Sequence, residues 1–415
     1  MEQHLIQPQP ENPHWKRGFL TIATGQTVSL IGSSAVQFAL IWWLSSETAS
    51  PMMLSLAGLF AFLPQLILGP FVGVWVDRLK RKNVIISADL FMGLVATVFA
   101  ALFLFGQPPY WSACVVLGIR SVGNVFHTPA IQAAIPMLVP KEQLVKANGW
   151  SQFMQSGAFM LGPVLGAAMY AALPLPVILL SDLIGAIAAS VTVAVVKIPE
   201  LKHNAKETPH FFREMKEGLL VFVQDRRLCI VTFAAMVGMI FYMPLSSYYP
   251  LMTSDYFQAT AWHASIVELG YAAGMMLCAV LVSALGKIKN KFLIIHLGFL
   301  GLGLSSMLGG VLPPTMGWFW VFAVLCTLMG ASGNLYNIPY VAYMQETVPH
   351  EAQGRAFSVL GSMMSFTMPL GLLIAGPVAE KYGVALWFFI SGSAFLLVTL
   401  VSAVLTFFRR PSKAE

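Results

Sequence analysis

The chain has 415 residues, 57% of them hydrophobic and only 10% charged, with a mean hydropathy of +0.74. That is more apolar surface than a water-soluble core can hide, so composition excludes a soluble globular protein and points to lipid as the solvent. The net charge of +6 matters through where the basic residues fall rather than through its size.

Residues 1–14 contain no Lys or Arg, which argues against a secretory signal peptide. The first apolar stretch therefore reads as an uncleaved anchor. Uncharged runs of roughly 18 to 25 residues, each long enough to cross a bilayer, recur along the whole chain. They predict twelve helices, over 18–45, 51–76, 84–106, 109–136, 147–172, 174–196, 227–251, 261–285, 292–312, 316–345, 353–379 and 384–408. Pro108–Pro109, Pro174 with Pro176, and Pro313–Pro314 mark turns between them. Between the sixth and seventh spans, Thr208 and Pro209 are start signals for an amphipathic helix. Its apolar stripe is Phe211, Phe212, Met215, Leu219, Phe222 and Val223, suited to lying on the membrane surface.

With the N-terminus inside, the alternating inside loops hold 22 of the 24 basic residues. Only Lys381 falls outside, and Arg120 lies within a helix. This asymmetry is the positive-inside rule; it predicts two cytoplasmic termini and an even helix count. Cys114, Cys229, Cys278 and Cys326 lie in or beside apolar runs with no CxxC pair, so they read as packed free thiols rather than as a metal or redox site.

The chain also repeats. Gly123–Asn124 and Pro129 recur as Gly333–Asn334 and Pro339, an offset of 210 residues. Two six-helix bundles are expected, 1–196 and 227–415, joined by a cytoplasmic linker over 197–226. A fainter echo places Asp89 in "SADLFMG" and Asp182 in "LSDLIGA" alike, near opposite membrane faces, as an inverted three-helix repeat requires. A duplicated bundle of this kind is the architecture of alternating access around a midplane site.

Three motifs carry a resemblance. Gly73-x-x-x-Asp77-Arg78-x-x-Arg81-Lys82 resembles the signature loop of the major facilitator superfamily, with Lys80 where that signature has glycine. Gly157-x-x-x-x-Gly162-Pro163-x-x-Gly166 is similar to the helix-5 motif of antiport-type exporters in the superfamily, with Ala167 in place of a final glycine. Arg120 stands where the superfamily has an arginine in helix 4. The stretches "WKRGFLTIATGQTVSLIGSSAVQFAL", "ILGPFVGVWVDR" and "FSVLGSMMSFTMPLGLL" resemble the macrolide-efflux branch. The resemblance implies an all-α integral membrane protein of two pseudo-symmetric six-helix bundles. It also implies proton-driven export of macrolides across a bacterial inner membrane. Asp77, with Arg78 and Arg81 near enough to pair with it, can approach the positive N-terminal end of helix 11 and latch the cytoplasmic side. Asp77→Asn is therefore expected to fold normally and to lose transport; normal transport rates in that variant would remove the latch.

Proton antiport needs a group that protonates and deprotonates in step with the cargo, and a carboxylate in a low-dielectric site can do this. Glu268, without a basic neighbour in sequence, is the first candidate, followed by Asp182 and Asp89. Arg120 is expected to have a buried partner. Glu346 suits the cytoplasmic end of helix 10. His127 and His296 are histidines within spans, where a packing role is the commoner one. A large, mostly apolar, cationic drug would need a wide aromatic and Met-rich pocket with a few polar groups. Candidates are Gln26, Gln37, Phe38, Trp42, Tyr242, Tyr248, Asn334, Tyr336, Asn337, Tyr340, Met363 and Met364. The expected partners are an amphiphilic drug, protons and the bilayer, with a monomer and no nucleic acid. No nucleophile–base pattern, zinc spacing or phosphate loop is present, so neither an enzyme nor a nucleotide-driven pump is expected, and no cofactor. An exporter or flippase of another amphiphile, such as a siderophore or a lysophospholipid, or a non-transporting membrane sensor would fit the same chain.

Overall fold

The computed structural model describes residues 15–140, 144–198, 219–285, 290–348 and 350–408. The stripe residues Phe211, Phe212 and Met215 of the amphipathic segment lie outside them. Among the described residues, twelve helices of 17 residues or more follow in chain order. The first six are α1 (Trp15–Thr48), α2 (Pro51–Arg78), α3 (Arg81–Leu102), α4 (Trp111–Leu138), α5 (Leu144–Ala172) and α6 (Leu175–Val195). The second six are α7 (Arg226–Tyr242), α8 (Ala261–Leu285), α9 (Lys291–Gly310), α10 (Met316–Thr347), α11 (His350–Tyr382) and α12 (Val384–Ala403). Among the described residues, eleven helical segments are long and apolar enough to cross a membrane, and the shorter Gly157–Ala172 stretch of α5 is also apolar.

The helix ends have local causes. Asp225 caps α7, its carboxylate accepting from the backbone N–H of Arg227 (2.9 Å) and Leu228 (3.1 Å). Asn290 caps α9 by accepting from Leu293 N–H at 3.1 Å. Gly383, at φ 90°, closes α11 in the left-handed conformation that favours glycine. The seventh predicted span is not one uniform helix. After α7 the chain runs on through a short helix, Leu245–Leu251, and a π-helical turn, Met252–Tyr256. Pro244 and Pro250 lie at that break; each lacks the N–H that a continuous ladder needs.

The chain forms two compact units. The first comprises residues 1–37, 67–108 and 118–205; the second comprises 38–66, 109–117 and 206–415. The core of the first joins Ile22 of α1, Val72 and Val76 of α2, Val84 and Ile85 of α3, Val125 and Ala130 of α4, and Val193 of α6. Within it α3 lies close against α6: a Cβ on Gly93 would stand 2.9 Å from the Leu183 Cα. The core of the second unit is aromatic. Tyr249 lies edge-on to Phe322 (6.3 Å) and tilted against Phe388 (6.0 Å), and Phe257 lies 5.3 Å from Phe322; such pairs each add about 0.5–1.5 kcal/mol beyond area burial. Ile184, Val195, Phe233, Val280 and Leu397 are all exposed, the composition of a surface that meets lipid tails.

α8 and α10 cross with backbones nearly touching. A Cβ on Gly330 would lie 2.0 Å from the Tyr271 carbonyl oxygen, and one on Gly274 2.0 Å from that of Thr327. Small residues are the usual means of such close approach in membranes. Gly330→Ala must push the helices apart, an overpacking that costs about 1–3 kcal/mol. A lowered melting temperature of the detergent-solubilised variant is expected; an unchanged one would show that the crossing tolerates a side chain.

Candidate functional site

Charged side chains inside the spans of the first unit gather at two carboxylates. Asp182 on α6 is 3% exposed and lies beside Arg120 on α4, 8% exposed, with Nη2–Oδ2 at 2.8 Å. Ser33 of α1 donates its hydroxyl to the other oxygen, Oδ1, at 2.6 Å. The guanidinium is at ion-pair distance but not aligned for a hydrogen bond. Among the described residues, Asp182 Oδ2 and Arg120 Nε have no hydrogen-bond partner. Arg120 thus has its buried counter-charge, on a helix 62 positions away in sequence.

Asp89 on α3 is 2% exposed and forms the second centre. Gln26 Nε2 of α1 donates to Oδ2 at 2.9 Å, and His127 Nε2 of α4 stands 3.2 Å from Oδ1. His127 Nε2 also lies 3.0 Å from Gln26 Oε1, closing a triangle. Each carboxylate therefore meets one neutral polar side chain from α1 and one nitrogen base from α4. The inverted echo around Asp89 and Asp182 marks two matched polar centres. Ser33 and the engagement of Gln26 were not legible as parts of them, because each contact joins distant helices.

The second unit holds Glu268 on α8. It is partly buried, and among the described residues no hydrogen bond or ion pair reaches it. Glu346, on the last turn of α10, pairs with Lys291 at the start of α9. Several candidate pocket residues are tied into packing. Tyr248 is fully buried with its hydroxyl 2.6 Å from Ser55 Oγ. Tyr340 meets Thr232 Oγ1 at 2.7 Å. Asn334 Nδ2 donates to the Met275 carbonyl at 2.7 Å, and Tyr336 lies against Phe299 with centroids at 5.1 Å. Phe38 and Trp42 are buried and stacked at 6.3 Å. The Tyr242 hydroxyl is buried without a hydrogen-bond partner among the described residues. Met363 and Met364 are half-buried, and Gln37 and Asn337 are exposed.

The side chains of Gly73, Asp77 and Arg78 in the signature loop lie outside the described residues. Arg81 and Lys82 are anchored within the first unit. Arg81 Nη1 reaches Met137 Sδ on α4, and Lys82 Nζ donates to the carbonyls of Ala194 (2.5 Å) and Val196 (3.1 Å) at the end of α6. A cation there satisfies carbonyls that the helix leaves open and meets the negative end of its dipole. In the exporter motif, Gly162 is the tight position: a Cβ would lie 2.3 Å from the Ser34 Cβ of α1, whereas Gly157 has nothing within 4 Å. Pro163 sits inside α5, and Gly166 is buried.

In the second unit the α1–α2 turn is held by polar contacts that the sequence did not advertise. Glu380 Oε2 accepts from Ser50 Oγ (2.7 Å) and from the Met52 backbone N–H (2.9 Å), capping the start of α2. Ser45 and Ser254 hydroxyls lie 2.9 Å apart.

A multi-pass helical chain with ionised groups paired inside its spans falls in the class of membrane transporters. The chain belongs to the Major Facilitator Superfamily, whose sequence model matches residues 22–291 and 257–415. It is 38% identical to Macrolide efflux protein A of Streptococcus pyogenes over 398 residues, which cover 96% of this chain and 98% of that protein. It is 25% identical to the multidrug efflux pump Tap of Mycolicibacterium fortuitum, over 94% of this chain and 96% of the pump. Among solved structures, the nucleoside transporter NupG superposes with a TM-score of 0.73 at 12% identity, over 94% of this chain and all of that one, a likeness of fold alone.

Proposed function

We propose that this chain exports amphiphilic drugs, macrolide antibiotics first among them, by proton antiport and alternating access. It would work as a monomer in the bacterial inner membrane with both termini cytoplasmic. The observation that carries this reading is the near end-to-end similarity to a macrolide efflux protein. The working halves are 1–196 and 227–415, with 197–226 as the cytoplasmic linker. Buried charge in the spans supports the coupling. Asp182 is neutralised in place by Arg120, whereas Glu268 has no ionic partner among the described residues, which suits it to exchange a proton for cargo. Gly73, Asp77, Arg78, Arg81 and Lys82 serve the cytoplasmic gate. The Glu380 cap on α2 would hold the outer side. Gln26, Asn334 and the aromatic and Met candidates are the residues we assign to drug binding.

Expression in a drug-sensitive bacterium tests this. Tolerance to erythromycin should rise several-fold and collapse when a protonophore removes the proton gradient. Unchanged tolerance with the protein present in the membrane would refute macrolide export, and protection that survives the protonophore would refute proton coupling.

A further inference from the structure

We propose that the His127–Asp89 pair is a proton-accepting node of the first unit, taking its proton at His127 Nδ1 and releasing it when a cationic drug supplies the compensating charge. The inference rests on the antiport reading above and adds to it a site besides Glu268. The hydrogen bonds themselves set the tautomer. His127 Nε2 faces only acceptors, Asp89 Oδ1 at 3.2 Å and Gln26 Oε1 at 3.0 Å, so Nε2 carries the hydrogen. Among the described residues no partner is recorded for Nδ1. Its lone pair is the vacancy for an incoming proton, and the ring is 17% exposed rather than sealed.

His296 shows what a packing histidine looks like in the same protein. Its Nδ1–H donates to the Phe292 carbonyl at 2.6 Å and its Nε2 accepts from Ser402 at 3.0 Å. Both of its nitrogens are engaged by the protein, whereas at His127, among the described residues, only Nε2 is.

The matched centre supplies the other half of the argument. At Asp182 the α4 base is an arginine, always charged, so an ionised Asp182 has a permanent counter-charge 2.8 Å away. At Asp89 the α4 base is a histidine, the side chain whose ordinary titration lies closest to neutral pH. With neutral imidazole the Asp89 centre carries one net negative charge inside the bilayer, an expensive state unless a cation approaches. A proton added to Nδ1 makes imidazolium, keeps Nε2–H on Asp89 and brings the centre to neutrality. The same compensation can come from a drug ammonium group. Proton and cationic drug therefore exclude one another at the same carboxylate, which is the requirement for antiport.

Little else near the pair competes for the charge. α1 presents the uncharged Gln26. α2 contributes Val72 and Val76 to this core. α6 brings Asp182, held by Arg120 of α4. On α3, Arg81 and Lys82 lie two turns away and are bound to Met137 and to the end of α6.

The test is proton release on drug addition, read with a pH indicator in weakly buffered nanodiscs holding the purified full chain and erythromycin. Wild type should release protons, and His127→Gln should release a whole proton fewer per drug bound. Undiminished release from His127→Gln would overturn this proposal and leave antiport standing; no release from wild type would overturn antiport itself. If His127→Gln and His127→Asn both fail to fold, wild-type protein with ring-15N histidine answers instead. A drug-induced change of one imidazole nitrogen from protonated to neutral supports the node, and no histidine changing state overturns it.

Discussion

Arg120→Gln is expected to be the most damaging single substitution in the spans. It would leave Asp182, 3% exposed, with only the Ser33 hydroxyl to face. Breaking a buried pair by removing one partner costs about 3–5 kcal/mol, because the surviving charge is uncompensated. Most of the expressed variant should therefore fail to run as a monodisperse species after detergent extraction. Compensation separates charge from packing: adding Asp182→Asn to Arg120→Gln removes both charges and should restore most of the folded yield. A single variant as stable as the parent, or a double variant no better than the single, would show that the pair is not the source of the effect.

The second large effect is expected at Glu268, with the opposite balance of stability and function. Glu268 lies about two turns into α8, and a carboxylate inside a span costs up to about 2.5–3.5 kcal/mol on insertion scales. No hydrogen bond or ion pair among the described residues returns that cost at Glu268. Glu268→Gln keeps the shape and removes the charge, so the melting temperature should hold or rise. Drug accumulation under a pH gradient should nonetheless fall by at least an order of magnitude, since the group that exchanges charge is gone. A destabilised variant would point to a structural acid, and undiminished accumulation would remove Glu268 from the coupling.

Much of the fold was legible because lipid imposes simple rules. Long uncharged runs and the placement of Lys and Arg were enough to place twelve helices near their observed bounds. The departures have local causes. The seventh span breaks where Pro244 and Pro250 interrupt the hydrogen-bond ladder, and the ends of α1 and α10 run beyond the apolar windows. The candidate site was legible only in part. An ionisable side chain within a span announces itself, so Asp89, Asp182, Glu268 and Arg120 could be singled out. What each touches could not be read. Gln26 stood as a pocket candidate on polarity alone, and the structure spends it on Asp89 and His127. The hydroxyls of Tyr248 and Tyr340, two aromatic pocket candidates, are bonded to Ser55 and Thr232, contacts that the sequence does not reveal. Glu380 sits in an ordinary run, "PVAEKYG"; only the fold brings it to the start of α2. Pairings between helices hundreds of residues apart leave no periodic signal in one sequence.

The most direct measurement is erythromycin movement in proteoliposomes containing only the purified chain, with an imposed pH gradient as the sole energy source. Vesicles made acidic inside should accumulate the drug against its gradient, alkalinise as they do so, and stop when the gradient is collapsed. Accumulation that ignores the gradient, or none at all from correctly folded protein, would contradict proton-driven export.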